Sequence, residues 1–139
     1  MTQAATLKFS QFLIKIGNGA SPEVFTAPCG LNSRGFNRTA AMNETNVPDC
    51  QDPDQPSWLE RDVVSLSGEL SGSGVVDDAD FDTWDTWFQS GTTKNVQINL
   101  NLRTWQGPAK LQNLNITGER GSRVTFEATI VTDGEIARV

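Results

Sequence analysis

The chain has 139 residues, 37% of them apolar, and 11 Lys and Arg against 17 Asp and Glu give a net charge of −6. A chain of that length fits one compact domain and buries roughly two-thirds of its unfolded surface, so its core needs no metal or disulfide staple. The acidic balance gives no footprint for gripping phosphates, and the absence of His and Tyr removes Ser-His, Cys-His and His-metal chemistry.

The N-terminal stretch Met1 to Ser10 is polar, and the apolar cluster Phe12-Leu13-Ile14 is too short for a signal-peptide core or a membrane span. The expectation is a soluble chain made in the cytosol, with no membrane insertion. Residues 10–17 place Phe12, Ile14 and Ile16 on one face at period 2. Asn18-Gly19-Ala20-Ser21 then supplies turn chemistry, and Glu23 to Ala27 can return as a partner strand.

Cys29 and Cys50 are the only cysteines. Without His they make a weak zinc case, since four ligands would require carboxylates. Two reduced, partly buried thiols are the plain reading for a cytosolic chain, and a bridge closing the loop between them is the alternative. The stretch from Gly30 to Ser57 fits neither helical nor strand periodicity. Its Asn, Asp, Pro and Gly content and scattered Leu31, Phe36, Met42 and Val47 read as a loop of unusual length, a feature that is usually functional or disordered.

Residues 62–72 read as a strand with Val64, Leu66 and Leu70 on one face and Gly68 marking a bend or close approach. A helix is expected over 78–90. Asp77 is its N-cap, Asp80 sits in the first turn, Val76 and Phe81 form a staple, and Gly91 is placed to end it. Phe81, Trp84, Trp87 and Phe88 recur at helical spacing and read as core against a sheet. The alternation over 94–103 is the cleanest in the chain. Val96, Ile98, Leu100 and Leu102 face one way, and Asn95, Gln97, Asn99 and Asn101 the other. Over 109–118 the phase slips, and a bulge near Gln112-Asn113 restores it. Residues 119–122 then turn into a last strand with Val124, Phe126, Ala128 and Ile130 inward. The fold class is mainly β, an antiparallel sandwich or barrel with one flanking helix.

Chemistry is sparse in this sequence. Asp78, Asp80 and Asp82 alternate as calcium ligands do, but Thr83 and Gln89 stand where a calcium loop needs Gly and Glu, and a helix start explains the acids without a ligand. Asp49, Asp52, Asp54, Glu60 and Asp62 surround Trp58, yet no spacing singles out an acid–base pair. No catalytic residue, cofactor or metal site is therefore expected. Trp58 and Trp105 are candidates for contact with a partner. The uncharged Asn95, Gln97, Asn99 and Asn101 face is a candidate subunit interface or channel lining.

The run Phe25-Thr26-Ala27-Pro28-Cys29-Gly30-Leu31, the closing Val47-Pro48-Asp49-Cys50-Gln51-Asp52-Pro53-Asp54 with Trp58 and Arg61, and Val64 through Gly68-Glu69-Leu70-Ser71-Gly72-Ser73-Gly74-Val75-Val76 before an acidic helix resemble the tail tube (major tail) proteins of long-tailed phages and gene transfer agents. The resemblance spans roughly residues 10–132. It implies a single tail-tube-like domain with an N-terminal arm (1–9), a long loop (30–59) that reaches neighbouring rings, and the helix outside a sheet that lines the lumen. It also implies hexameric rings stacked into a DNA conduit in the tail of a phage-like particle. Its partners would be copies of itself, a tail terminator and baseplate or distal tail proteins, with DNA passing unbound. Leu31, Phe36, Met42, Val47, Trp58 and Trp105 are the expected contact residues. The alternative is a small β-rich module that recognises sugar or protein through Trp58 and the long loop.

Overall fold

A computed structural model describes residues 2–139. The chain divides into two units: residues up to Asn37 together with Gly68–Val139, and the segment Arg38–Ser67. A short 3-10 turn (Phe9–Gln11) leads into β1 (Phe12–Gly17) and β2 (Phe25–Thr26). The long strands β3 (Leu31–Asn46) and β4 (Leu59–Val75) follow, then α1 (Asp78–Ser90), β5 (Lys94–Leu100), β6 (Arg103–Thr117), β7 (Thr125–Thr132) and β8 (Ala137–Arg138). The strand order is β2-β1-β5-β6-β7-β4-β3, with β8 on β6, and the sheet does not close into a barrel. The mainly antiparallel β class with one helix agrees with the sequence reading.

In the first unit β6 is the pivot. Its first half pairs with β5 (Ile98 opposite Trp105) and its second half with β7 (Ile116 opposite Phe126). The register slips between Leu111 and Asn113, the bulge that the phase change over 109–118 requires. Side chains alternate across a strand, so Ile14, Ile16, Val96, Ile98, Phe126, Ala128 and Ile130 meet on one face and bury there with Leu70 and Ala109. Each large apolar side chain so buried contributes about 1.5–3 kcal/mol.

Helix α1 closes this core from the position the sequence predicts. The Asp77 carboxylate accepts from the Ala79 amide at 3.2 Å, and Gly91, at φ 64°, donates its N–H to Trp87 O. Trp84 and Trp87 are buried, and Trp84 lies 5.8 Å, centroid to centroid, from the Phe126 ring. The Trp87 Nε1–H donates to the Thr92 carbonyl at 2.8 Å, so the indole brings no orphaned donor into the core. Phe88 was expected in the same core but is half exposed, because the buried arc centres on Trp84 and Trp87 and leaves it on the rim.

Three further expectations need correction. Strand β5 stops at Leu100, and Asn101 takes φ 55° in a two-residue turn that pairs Leu100 with Arg103. Leu102 therefore points to solvent, 92% exposed, rather than inward. Asn tolerates this left-handed conformation without a glycine, which hides the turn inside a continuing alternation. Val124 likewise precedes β7 and is exposed. Residues 30–59 are not one irregular loop, since Leu31–Asn46 is strand, as is the chain from Leu59 on.

The second unit, Arg38–Ser67, comprises the end of β3, the 47–58 connection and the start of β4, a β-hairpin. No residue in it is buried, and only Ala40 and Ser57 are half-buried. With neither face covered there is no alternation for a periodicity argument to detect. The strands are joined by the Arg61–Glu44 ion pair (Nε to Oε1, 3.1 Å) and by Ser57 Oγ donating to Asn46 Oδ1. Asp49 Oδ1 shapes the connection by accepting from the Gln51 and Asp52 amides at 2.7 and 3.1 Å, which holds its carboxyl below the usual carboxylate range. Among the described residues no helix is long and apolar enough to cross a membrane.

Candidate functional site

The surfaces most unlike an ordinary monomer exterior begin with the hairpin. Met42, Val47, Trp58, Leu59, Val63, Val64 and Leu66 are all exposed on Arg38–Ser67, Trp58 at 91% and Leu66 at 79%. Among the described residues that is seven of the sixteen exposed large hydrophobics on about a fifth of the chain, a concentration typical of interaction surfaces. Of the residues expected to touch partners, Met42, Val47 and Trp58 are thus accessible.

The other three are not free in this way. Leu31 is 7% exposed and belongs to the core, its Cδ2 lying over the backbone at Gly72, so its place among the contact residues is corrected. Trp105 is half-buried because it stands opposite Ile98 in the β5–β6 register and shares that residue's inward face. Its ring packs 6.0 Å, centroid to centroid, from Phe36, which is also partly buried against the core. Phe36 and Trp105 bind the first unit together.

The uncharged β5 face exists over Asn95, Gln97 and Asn99, but Asn101 has left the strand for the turn. Its amides are occupied by neighbours. Asn95 Nδ2 donates to Glu23 at 2.8 Å, Gln97 Nε2 to Gln106 at 3.5 Å, and Asn99 Oδ1 accepts from Thr104 at 3.0 Å. Lys15 stands opposite Gln97 and adds a cation to this face.

A second polar face went unnoticed in the sequence. The registers set Thr129 between Ser71 and Asn113, and Glu127 between Ser73 and Asn115. With Ser33 these side chains line a shallow concavity of about 200 Å³. The signal was present as polar residues at alternate positions of β4, β6 and β7. Strand β3, which carries Ser33, has no periodicity to reveal it, and without it and the pairing of β7 with both β4 and β6 the face could not be assembled.

Where the chain enters β3, the Cys29 amide donates to Asp80 Oδ2 at 2.8 Å. Asp80 and then Asp77 raise the thiol pKa by their negative charge. Both cysteines are free and exposed, so the expectation of partly buried thiols is corrected. The potential ligand atoms of Cys29, Asp77 and Asp80 lie within 4.8 Å of one another, but the two carboxylates already accept backbone N–H groups.

The described residues thus form an open-edged antiparallel sheet with one capped helix and a hairpin that leaves its large apolar side chains exposed. A family model for phage tail tube proteins matches residues 6–138, and the chain belongs to that family. Comparison with curated proteins finds no match. Among solved structures, the chain resembles the tail of an empty gene transfer agent particle, determined by helical refinement with C6 symmetry. That pair has 19% identity and a TM-score of 0.80, with 96% of this chain and 99% of the other covered. A chain from the virion of a native gene transfer agent particle is similar at 20% identity and a TM-score of 0.78, with the same coverage. A third, from the sheath/tube terminator of an extracellular contractile injection system in its extended state, has 15% identity and a TM-score of 0.66 over 99% of both chains. The identities are low and establish a shared fold.

Proposed function

We propose that this tail tube subunit assembles into six-membered rings that stack into a hollow tube for DNA delivery in the tail of a phage-like particle. The observation that carries the reading is the apolar hairpin Arg38–Ser67. A segment with no buried residue and seven exposed large hydrophobics is poorly suited to solvent and well suited to burial against other copies. Met42, Val47 and Trp58 are its contact residues, and this hairpin, which overlaps the expected 30–59 stacking region and extends beyond it to Ser67, is the stacking element. The C6 symmetry of one similar tail supports six subunits per ring. Terminator and baseplate proteins cap such a tube at its ends.

The conduit role draws on charge and face chemistry. Net charge −6 repels phosphate at short range, and amide or hydroxyl faces offer DNA no cation array to hold it. The Asn95–Asn99 face and the Ser71–Asn113 face are the two candidates for the lumen. Electron microscopy of the concentrated protein, with hydrogen exchange on the dilute chain, tests the reading. Rings or tubes are expected, with residues 38–67 exchanging fast when dilute and protected in the polymer. A polymer whose hairpin stays as exchangeable as in the monomer would overturn the stacking role.

A further inference from the structure

One end of the first unit carries a basic and apolar patch that the fold assembles from three distant segments. Arg34 braces it from within. Its Nη1 donates to Phe12 O at 2.6 Å and to Phe9 O at 3.3 Å, and its guanidinium lies 4.1 Å from the Phe9 ring centroid. The Asn101 amide donates to Gln11 O at 2.8 Å, tying the β5–β6 turn to the same 3-10 segment. Arg138 stands opposite Trp105, and the Val139 amide donates to Thr104 O at 2.8 Å. These ties bring Lys8, Leu102, Arg103 and Arg138 to one place. Segments 6–12, 99–105 and 136–139 contain no Asp or Glu.

The cations of this patch have no acidic partner among the described residues. Lys8, Arg103 and Arg138 make no ion pair among the described residues. Elsewhere in the first unit Lys110 is paired with Asp133 and Lys94 lies over the Trp87 ring, while Lys15, Arg120 and Arg123, scattered singly or beside Glu119, also make no ion pair among the described residues. Leu102, 92% exposed, gives the patch an apolar centre.

The hairpin has the opposite charge. Arg38–Ser67 holds six carboxylates and two arginines, and Asp52, Asp54, Glu60 and Asp62 make no ion pair among the described residues. In the sequence they flank Trp58, whose ring is almost wholly exposed. We infer that the acidic, Trp58-bearing hairpin of one copy docks on the Lys8–Leu102–Arg103–Arg138 patch of a second copy. This rests on the tube reading and specifies the surface that receives the hairpin. Opposite charges set the register, and the Trp58 and Leu102 side chains bury each other at the centre. Because each copy carries one donor and one acceptor surface, the contact is head-to-tail and can pass from copy to copy.

Charge reversal on each side tests it with the full chain. The double variants Arg103→Glu/Arg138→Glu and Asp52→Arg/Asp54→Arg should each stay unassembled at concentrations where the wild type polymerises. Like charges brought together in an interface raise that threshold roughly a hundredfold. Mixed one to one, the two variants should polymerise, because each then meets a complementary surface. Recovery in the mixture also excludes misfolding as the cause. Either variant assembling like the wild type, or an inert mixture of two chains with wild-type circular dichroism and melting, would overturn the docking surface while leaving the tube intact. The wild-type threshold should also climb about tenfold or more as salt rises through the range that screens exposed charges. A flat salt response counts against the proposal without any substitution. A wild type that never polymerises would instead sink the tube reading, and this contact with it.

Discussion

The Asp80 carboxylate accepts the Cys29 amide proton across 2.8 Å, pinning the first turn of α1 to the chain just before β3. The same carboxylate, helped by Asp77, raises the Cys29 thiol pKa above its ordinary value. A raised thiol pKa means less thiolate at a given pH, so alkylation slows and its midpoint moves to higher pH. Iodoacetamide labelling at pH 8, followed by peptide mass mapping, should therefore show Cys29 reacting several-fold faster in Asp80→Asn than in the wild type. Cys50, on the other unit, serves as the internal standard and should keep its rate.

At Gly74 the chain has no space for a side chain. An added Cβ would run into Gly30 O and stand 2.8 Å from Asn32 N and 2.9 Å from Leu31 Cα. All three neighbours are backbone, so relief requires moving the start of β3 rather than a rotamer. Gly74→Ala should lose about 1–3 kcal/mol in urea unfolding, with an unchanged far-UV spectrum at low denaturant.

Trp87 separates packing from hydrogen bonding. Trp87→Ala leaves a cavity under α1 and should cost about 3–5 kcal/mol. Trp87→Phe keeps most of the ring but deprives the Thr92 carbonyl of its Nε1–H donor, and should cost about 1–2 kcal/mol. Equal losses in chemical denaturation would mean that the hydrogen bond, not the ring, dominates at this site.

Trp58 should behave in the opposite way. Its ring touches almost nothing in the monomer, so Trp58→Ala should change unfolding free energy by no more than about 0.5 kcal/mol. If the hairpin stacks on other copies, the same substitution should abolish polymer in sedimentation at the wild-type threshold. An aromatic anchor at an interface centre commonly carries 2 kcal/mol or more.

Wherever one face of an element is buried, its pattern was legible. Helix 78–90 could be read with both caps, because Asp77, the acids of the first turn and Gly91 act through local backbone groups. Strand β7 could be read from Phe126, Ala128 and Ile130, and the bulge at Leu111/Asn113 from a slip in phase. Strand β3 could not, because Arg38 to Asn46 bury nothing on either side. The ends of β5 and β6 were blurred for a different reason. Asn101 turns the chain with no glycine, and Gly107-Pro108 interrupts a strand that Pro108 nevertheless occupies.

By itself the sequence determined the class of fold, the helix with its caps, most of the core and the resemblance that the family match bears out, since these depend on short-range periodicity and local hydrogen bonding. Only the tertiary structure decided which candidate residues are accessible. It turned Leu31 and Trp105 inward and left Met42, Val47 and Trp58 outside. It also gathered Lys8, Leu102, Arg103 and Arg138 at one end and aligned Ser71, Asn113 and Thr129 across three strands. Such surfaces are set by the register between strands far apart in the chain, which no local spacing encodes.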